Sequence, residues 1–540
     1  MNGAEAMVKC LELEGVEMVF GYPGVAICPF YDAILDAESI RTILIRTEQN
    51  AAHAASGMAR VTGKVGVCAV TSGPGATNLI TGIATAFADS IPLVCITGQV
   101  HSGLIGSDSF QEADIIGATE SFIKYSYLVK NAEDIPRIFR EAFYIANTGR
   151  KGPVLIDVPI DVQNAIVKKF KYPEEVNLRT YKPTVKGHAV QIKKVMAELE
   201  KAKRPVICAG GGVLLSDAQN ELREFAHRYQ VPVVHTMMGI GSMQTEDELN
   251  FGMVGNHGAS YANRAMNEAD MIIMVGARVA DRTVNQPEII TRGKVLVHMD
   301  VDPAEIGKNA GPTIPLVGDA KHIFEDMMQY EIEGDHNLWV QTLYEYKQTM
   351  KEKRVPDPAF IDPAEFIKKL SDKMEKDAIY VADVGQNQIW SCRNCIVREG
   401  SFLTSGGMGT MGYSIPAAMG AKAGQPGRQS IAVCGDGSFQ MSMMELATMR
   451  QYNIPVKIIV MANRYLGMVR EYQKNTYGAD RYSVVDLSGS PDLSKIAEAY
   501  GMRFIRVSEK ADEDSAISEF LRGDESVLME CVINPTDTSK

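Results

Sequence analysis

Short runs of consecutive apolar residues alternate along most of the chain with glycine-bounded segments of helical periodicity. Three such runs, at residues 66–70, 205–209 and 430–433, each lead into a glycine-rich turn and then a helical segment. Continuous apolar strands separated by helices are typical of parallel sheets that are covered on both faces. The pattern predicts an α/β protein built from doubly wound parallel sheets.

Two polar stretches interrupt this alternation. Residues 168–187 are rich in lysine and proline, and residues 331–363 contain Lys351-Glu352-Lys353-Arg354 followed by Pro356-Asp357-Pro358. Such passages are typical of interdomain linkers. We therefore predict three domains, at 1–167, 188–330 and 363–540. A Thr-Ser-Gly turn occurs in the first domain, at Thr71, and again in the third, at Thr404, which is a weak sign that the two domains are related.

The amino terminus predicts an amphipathic helix rather than a signal peptide. Its apolar residues Ala4, Met7, Val8 and Leu11 have helical spacing, with glutamates between them. Elsewhere no apolar run approaches the roughly 20 residues that cross a bilayer. We expect a cytoplasmic protein that does not associate with membranes.

Size and charge narrow the function classes. A chain of 540 residues is too long for a single small binding module. The 55 Lys and Arg against 67 Asp and Glu give a net charge of −12, which disfavours a nucleic-acid partner. Nine cysteines, mostly single within apolar runs, suit buried side chains in a reducing compartment. The one C-x-x-C pair, Cys392 and Cys395, has no second pair for zinc and is interpreted as incidental.

The strongest chemical signal is Gly435-Asp436-Gly437-Ser438 at a predicted strand end, with Asn463 following the next strand 27 residues later. Carboxyl ends of neighbouring parallel strands meet at the edge where open α/β sheets bind ligands. A carboxylate, an amide oxygen and a backbone carbonyl would suit Mg²⁺, with phosphate oxygens and water completing the shell. The glycines and the helix start favour a bound phosphate. The alternative is an ordinary Asp-Gly turn beside an unrelated asparagine.

This segment resembles the thiamine diphosphate signature, with Ala462 in place of the first of two asparagines. The resemblance implies a metal held by Asp436, Asn463 and the main-chain carbonyl of Tyr465. It also implies a glutamate after a strand in another domain, which Glu48 matches, after a predicted strand at 42–45. In the family this glutamate hydrogen-bonds the pyrimidine ring of the cofactor and promotes its imino tautomer. Taken alone, Glu48 would be a carboxylate at a helix amino terminus.

Further motifs are similar to those of the large, catalytic subunit of acetohydroxyacid (acetolactate) synthase, over nearly the whole chain. They include Tyr22-Pro23-Gly24, the run Thr71 to Asn78, Phe110-Gln111-Glu112 and Leu403-Thr404-Ser405-Gly406-Gly407. The resemblance implies catalytic roles for Glu48, Gln111, Phe110 and Met411, the last as the apolar wedge that bends the cofactor. The residues that it implies as thiamine diphosphate contacts are Tyr22, Pro74, Asn78, Val384, Gly385, Gln386, Asn387, Gly409, Met411, Gly437 and Ser438.

The resemblance also implies FAD in the central domain, without a redox role. Glycine-rich turns and arginines suit a flavin diphosphate, although any doubly wound domain can contain them. The residues at the family's FAD positions are Arg150, Gly210, Gly211, Gly212, Thr236, Met237, Gly276, Arg278, Arg282, Asp300, Val301, Asp319 and Ala320.

Several departures from the family pattern lie near the expected cleft. Val25 stands where the family has a second glycine, Ile160 replaces a lysine, and Asn387 replaces a histidine. Tyr472 stands where the family has a tryptophan that is associated with preference for 2-ketobutyrate as acceptor. These departures leave the acceptor 2-keto acid open.

The implied activity is a thiamine diphosphate- and Mg²⁺-dependent carboligase of branched-chain amino acid biosynthesis. It would decarboxylate pyruvate on the cofactor and add the resulting hydroxyethyl carbanion to a second 2-keto acid, giving 2-acetolactate or 2-aceto-2-hydroxybutyrate. The family builds each site from two subunits, which implies a homodimer or homotetramer and leaves room for a small regulatory subunit. The alternatives are a related 2-keto acid decarboxylase, acyltransferase or lyase, a catalytically silent homologue, and a flavin- or nicotinamide-dependent oxidoreductase.

Overall fold

The computed structural model describes residues 1–350 and 356–539 of the chain. They form three α/β units, each built on a six-stranded sheet. Every strand pairing within the three sheets is parallel. The inner strands of each sheet are mostly apolar and buried over most of their length, while edge strands such as β2, β5 and β17 are partly exposed. The predicted fold class, three doubly wound parallel sheets, is confirmed.

The first unit has the strand order β2-β1-β3-β4-β6-β5. Its strands are β1 (Met18–Tyr22), β2 (Arg41–Leu44), β3 (Gly66–Val70), β4 (Leu93–Gln99), β5 (Tyr125–Leu128) and β6 (Pro153–Pro159). Its helices are α1 (Gly3–Leu13), α2 (Cys28–Ala33), α3 (Glu48–Thr62), α4 (Pro74–Asp89), α5 (Ile115–Thr119), α6 (Ile135–Asn147) and α7 (Ile160–Asn164).

The central unit has the order β12-β11-β10-β7-β8-β9. Its strands are β7 (Pro205–Ala209), β8 (Val233–His235), β9 (Asn250–Met253), β10 (Met271–Val275), β11 (Val295–Asp300) and β12 (Ile314–Val317). Its helices are α8 (Ala189–Lys201), α9 (Gly211–Leu215), α10 (Gln219–Tyr229), α11 (Ser260–Glu268), α12 (Glu288–Thr291), α13 (Ala320–Met327) and α14 (Asn337–Thr349).

The third unit has the order β14-β13-β15-β16-β18-β17. Its strands are β13 (Ile379–Ala382), β14 (Ser401–Leu403), β15 (Ser430–Gly435), β16 (Lys457–Ala462), β17 (Arg503–Val507) and β18 (Val527–Val532). Its helices are α15 (Pro363–Lys373), α16 (Gln386–Asn394), α17 (Ser414–Gly424), α18 (Asp436–Ser442), α19 (Glu445–Tyr452), α20 (Gly467–Tyr477), α21 (Leu493–Ala499) and α22 (Glu513–Leu521).

The first and third units share one topology. Counted from its own first strand, each sheet has the order 2-1-3-4-6-5. The Thr-Ser-Gly turns do not reflect this likeness, because Thr71 follows the third strand of its sheet and Thr404 follows the second strand of the other. That motif is therefore misleading as a sign of a repeat, and the likeness lies in the order of the strands.

The first and third units also share a hydrophobic core, centred on the packing of α3 against α17. A Cβ atom on Gly57 would lie 2.0 Å from the carbonyl oxygen of Ala417, and one on Gly420 would lie 1.9 Å from that of Ala54. The two helix backbones are therefore in direct contact. Glycine within a helix costs about 1 kcal/mol relative to alanine, and this close packing is what requires it here.

Local signals explain the first helix. The side-chain oxygen of Asn2 accepts from the Glu5 backbone N–H at 2.8 Å, and the Glu5 carboxylate accepts from the Asn2 backbone N–H at 2.9 Å. This reciprocal capping satisfies two backbone donors at the start of α1. The four apolar residues that predict the helix are all buried, and its glutamates lie on the outer face.

The two predicted linkers differ. Residues 168–187, all of which are described, contain neither helix nor strand. The stretch at 331–363 instead contains α14, whose Trp339 is buried in the central core and donates its indole N–H to the Pro205 carbonyl at 3.1 Å. Part of that stretch therefore packs as central unit, while Lys351-Glu352-Lys353-Arg354 lies outside the described residues. The domain bounds themselves stay predictions.

The cysteines behave as small apolar side chains. All nine are free, and all but Cys28 are buried. Cys392 and Cys395 lie in the core of the third unit, where burial raises the pKa of both thiols. Within the described ranges, no helix combines the length and the apolar character that a membrane span needs.

Candidate functional site

Asp436 and Asn463 lie side by side at the carboxyl edge of the third sheet. Strands β15 and β16 pair in register from Ile431 to Gly435, and the two residues follow directly after these strands. The Asp436 Oδ2 atom accepts hydrogen bonds from the backbone N–H groups of Asn463 and Arg464, each at 2.9 Å. The structure therefore brings Asp436 and Asn463 together, as their positions after neighbouring strands predict.

The turn after β16 is fixed from several directions. Arg464 has a left-handed backbone with φ of 62°, and its guanidinium contacts the buried Glu530 carboxylate at 2.9 Å. On either side of Tyr465, the Leu487 N–H donates to the Arg464 carbonyl and the Leu466 N–H donates to the Val485 carbonyl. A strained backbone held this firmly is typical of functional turns.

The donor set fits Mg²⁺. Asp436 is only 4% exposed, and burial raises the pKa of its carboxyl group, with the backbone N–H donors opposing the rise. A nearby cation would offset that burial, while the Arg464 side chain is directed to Glu530. One carboxylate and one amide oxygen are hard ligands of the kind Mg²⁺ prefers. The described residues contain no cluster of three His, Cys, Asp or Glu side chains suited to a metal, so a site here relies on amide and backbone oxygens.

Three helices begin around this point, at Gln386, Asp436 and Gly467. Hydrogen bonds link the residues around these helix starts: the Asn463 Nδ2 atom donates to the Gln386 Oε1 atom at 3.2 Å, and the Ser438 hydroxyl donates to the Val384 carbonyl at 3.2 Å. A Cβ atom on Gly467 would lie 2.0 Å from the Gln386 Oε1 atom. Helix amino termini favour anions, so this convergence suits a diphosphate.

The residues predicted over the diphosphate differ in how free their side chains are. Asn387 is buried, and its amide donates inward to the carbonyls of Asp383 and Val433, at 2.9 and 3.1 Å. Gly385 has φ of 143°, which suits glycine. The Gln386 amide donates to the Glu471 carboxylate at 3.0 Å and to the Asp537 carbonyl at 2.7 Å. Asn387 thus supports the loop from behind, while Gln386 faces the convergent helix starts.

Gly409 and Met411 lie on the turn that precedes α17. Gly409 has φ of 71° with open space around its Cβ position, and Met411 packs 3.2 Å from the Cβ position of Gly437. Asp89, from the first unit, accepts from the Gly407 N–H of this turn at 2.7 Å. The first unit therefore fixes the turn that carries Gly409.

Glu48 begins α3 at the carboxyl edge of the first sheet. Its Oε2 atom accepts from the Asn78 side-chain amide at 3.0 Å, and its Oε1 atom lies 3.3 Å from the Cβ position of Gly75. Pro74 begins α4 at the same edge. Glu48, Asn78 and Pro74, predicted from separate motifs, therefore lie together.

Gln111 closes over the turn before α4. It has a left-handed backbone with φ of 60°, and its Cα atom lies 2.9 Å from the Cβ position of Gly73. Phe110 is 87% exposed, and Tyr22 and Val25 are also exposed at this end of the unit. The edge around Glu48 therefore presents an apolar surface outward.

The Glu48 group and the Asp436 group form two separate clusters within one chain, and among the described residues no hydrogen bond or ion pair joins the two carboxylates.

The junction between their units contains residues that sequence reasoning missed. Glu445 of α19 is buried there and bonds to Arg46 and Asn50, on either side of Glu48. Within the third unit, sequence reasoning also missed Glu471, which accepts from the Gln386 side-chain amide. Such carboxylates carry no local sequence signal, because their partners are distant in the chain.

A cavity of about 670 Å³ opens at the central unit and extends to the turn at Gly406–Gly409 of the third. Its volume lies within the range of small-molecule sites. The predicted FAD residues that line it are Arg150, Gly211, Gly212, Thr236, Met237, Gly276, Arg278, Arg282, Asp300, Val301, Asp319 and Ala320. Gly210 lies behind the lining, where a Cβ atom would be 2.2 Å from the Gly276 carbonyl.

Three family models match the three units in order. Residues 1–118 match the N-terminal TPP-binding domain of thiamine pyrophosphate enzymes, 192–327 match the central domain, and 383–531 match the C-terminal TPP-binding domain. The chain is therefore a thiamine pyrophosphate enzyme by class, as its motifs predict.

Full-length relatives identify the family within this class. The chain is 44% identical to the probable acetolactate synthase large subunit of Methanocaldococcus jannaschii, covering 99% of this chain and 93% of that protein. It is 42% identical to the acetolactate synthase large subunit of Lactococcus lactis subsp. lactis (99% and 93% covered) and 42% identical to that of Haemophilus influenzae (96% and 92%). The chain belongs to the acetolactate synthase large-subunit family.

Proposed function

We propose that the chain joins two 2-keto acids with loss of one CO₂, forming 2-acetolactate from two pyruvate molecules in branched-chain amino acid biosynthesis. The observation that carries this proposal is the pair of clusters at corresponding sheet edges. One is built on Glu48 and the other on Asp436 and Asn463, in a chain of this family. The cofactor would be thiamine diphosphate with Mg²⁺.

Thiamine diphosphate, when bound, supplies the stabilisation of negative charge on carbon that decarboxylation of a 2-keto acid needs. The residues of this chain would hold it in place. Asp436, Asn463 and the Tyr465 carbonyl would hold Mg²⁺, and the three convergent helix starts would bind the diphosphate. Met411 would press against the rings from the turn that Asp89 supports.

Glu48 would exchange a proton with a ring nitrogen of the cofactor. Its Oε2 atom is held by Asn78, so the carboxyl group has a defined orientation at the start of α3. A positioned carboxyl group that shares a proton with a ring nitrogen acts as a general acid and base. Phe110 and Gln111 would line the cleft beside it and exclude water.

The separation of the two clusters within one chain supports a homo-oligomer, in which each site would combine clusters from two chains. Exposed apolar side chains surround both of them: Phe110, Tyr22 and Val25 near Glu48, and Met441 and Tyr472 near Asp436. Joining the Glu48 edge of one chain to the Asp436 edge of another would complete a site and cover these surfaces. The relatives are named large subunits, which supports a small subunit as a further partner of this chain. The enzyme would act in the cytoplasm.

The test incubates the purified chain with thiamine diphosphate, Mg²⁺ and pyruvate, with and without 2-ketobutyrate, and identifies the products by mass. Acetolactate is the expected product. Acetaldehyde alone would identify a decarboxylase. No turnover of any 2-keto acid would contradict an enzymatic role.

Replacing Tyr472 by tryptophan is expected to raise the ratio of acetohydroxybutyrate to acetolactate. Tyr472 lies on α20 and is 61% exposed, at the position of the tryptophan associated with 2-ketobutyrate preference. Discrimination of one methylene in an apolar pocket amounts to roughly tenfold or more. Tyr477→Trp is the matched control, because Tyr477 lies on the same helix, is 59% exposed and contacts the Tyr472 ring. Equal ratios in the two variants would contradict a role for position 472.

We also propose that the central cavity binds FAD without redox turnover. Arg278→Ala is expected to lower flavin retention by roughly tenfold, since it removes a charged donor for a diphosphate. The measurement is flavin absorbance after purification and after addition of FAD. Arg292→Ala, an exposed arginine at the end of α12, is the control. A wild-type chain that neither carries nor takes up FAD would contradict the proposal.

A further inference from the structure

Glu445 lies at the start of α19, in the junction between the first and third units, with its side chain buried. Its Oε1 atom accepts from the Arg46 backbone N–H at 3.0 Å and from the Asn50 side-chain amide at 2.9 Å. Its Oε2 atom accepts from the Thr448 hydroxyl at 2.7 Å. The two contacts to the first unit fall two residues before and two residues after Glu48.

Burial makes this carboxylate a costly contact. It raises the pKa of Glu445, while the hydrogen bonds from Asn50, Thr448 and Arg46 oppose the rise. Burying a carboxyl group is unfavourable unless its oxygens are well paired, and an apolar side chain would often fill such a place at no loss of stability. The contact therefore calls for a role beyond holding the two units together.

Other residues of α19 already dock the two units. The Tyr452 hydroxyl accepts from the Leu44 backbone N–H at 2.9 Å, and the Tyr452 carbonyl accepts from the Arg41 guanidinium at 2.8 Å. These bonds hold strand β2 rather than the turn after it. Gln451 of α19 contacts the segment that carries Glu48 only through a side chain, since its Oε1 atom accepts from the Arg46 guanidinium at 2.5 Å. Glu445 differs from Tyr452 and Gln451 because it accepts from the backbone of that segment and from the first turn of α3.

The start of α3 has no side-chain cap at its N-cap residue. Its N-cap residue, Thr47, makes no side-chain capping bond. Asn50, in the first turn, directs its amide to Glu445 instead of to its own helix. The first turn of α3 is therefore held from outside by the third unit, and a 1 Å displacement of a catalytic group can cost about 100-fold in rate.

We propose that Glu445 is a positioning residue: it fixes the backbone turn at residues 46–50, and together with the Asn78 hydrogen bond to Glu48 it sets the direction in which the Glu48 carboxyl group points. The inference rests on the proposed function, in which Glu48 handles the proton. It assigns Glu445 no contact with substrate or cofactor.

The experiment compares Glu445→Ala, Glu445→Gln and Tyr452→Phe in the full-length chain. Glu445→Ala is expected to lower kcat roughly 10- to 100-fold, with KM for pyruvate and the Kd for thiamine diphosphate within about twofold of wild type. Glu445→Gln is expected to recover most of the rate, because its amide oxygen still accepts from the turn. Tyr452→Phe removes a docking bond at the same junction and is expected to leave kcat unchanged.

Backbone hydrogen exchange of residues 44–50 gives a readout that is independent of activity. Glu445→Ala is expected to speed exchange at Arg46 and its neighbours, and Tyr452→Phe to speed it at Leu44 only. Equal losses of kcat in Glu445→Ala and Tyr452→Phe, or unchanged kcat in Glu445→Ala, would overturn the proposal. If Glu445→Ala does not fold, the same comparison between Glu445→Gln, expected to be mildly impaired, and Tyr452→Phe decides.

Glu48→Gln, measured in the same assay, distinguishes a failure of the proposed function from a failure of the positioning role of Glu445. Full turnover in Glu48→Gln would overturn the role of Glu48 in the proposed function, and this inference with it. An inactive Glu48→Gln together with a fully active Glu445→Ala would overturn this inference alone.

Discussion

Replacing Glu48 by glutamine is expected to lower kcat for acetolactate formation by about 10²- to 10⁴-fold, the range measured for removal of a positioned general acid or base. Glutamine is close to glutamate in size, and its amide oxygen can still accept from the Asn78 side chain. The helix start at α3 and the cleft shape should therefore persist. What is lost is a group that can share a proton with a ring nitrogen.

The affinity of Glu48→Gln for thiamine diphosphate should fall far less than its kcat, because the proposed diphosphate and metal contacts lie in the other cluster. The measurements are kcat from product formation and Kd from calorimetry. Glu17→Gln is the control, since Glu17 lies in the same unit with an exposed side chain that pairs with Lys64. A Glu48→Gln enzyme within threefold of wild type would show that another group moves the proton.

The strands were the most predictable part of the fold. The expected strand at 42–45 is found at Arg41–Leu44, and the apolar runs at 66–70 and 205–209 match β3 and β7 residue for residue. Strands β3 and β7 are buried along their whole length and are apolar throughout, and a glycine-containing turn follows each of them. The order of strands within the sheets could not be predicted, because pairing depends on contacts between segments that are distant in sequence.

The packing between units was hidden for a different reason. Gly57 and Gly420 lie within helices, where glycine is normally destabilising. The reason for these glycines is visible only when the two helices are packed together, since each glycine makes room for the backbone of the other helix. A pattern read along one segment cannot show that the missing side chain is required by a partner several hundred residues away.

The residues of the proposed metal site and the residues that support them differ in the same way. Asp436 and Asn463 were predictable because both follow strands whose ends must meet. Glu445 and Asp89 lie in helices, and their carboxylate oxygens accept hydrogen bonds from segments of another unit. Their positions along the chain resemble those of ordinary polar residues. The residues proposed to bind a ligand thus had a sequence signal, while those that hold them in place did not.

Replacing Asp436 by asparagine is expected to weaken Mg²⁺-dependent binding of thiamine diphosphate by more than about 100-fold, since loss of a residue that only supports a metal ligand already costs 10- to 100-fold. The asparagine oxygen can still accept from the backbone N–H groups of Asn463 and Arg464, so the turn after β16 should hold. The measurement is a calorimetric titration of thiamine diphosphate at several Mg²⁺ concentrations.

The same substitution should raise the melting temperature of the metal-free chain. Burial raises the pKa of Asp436, so at pH 8 the folded chain bears the cost of a buried charge that asparagine removes. In wild type, Mg²⁺ and thiamine diphosphate together should raise the melting temperature, and in Asp436→Asn this increment should vanish. Asp377→Asn, at an exposed position before β13, should match wild type in both measurements. An unchanged Mg²⁺ dependence in Asp436→Asn would contradict the metal site, and a lowered melting temperature without metal would show that the carboxylate is needed for the turn itself.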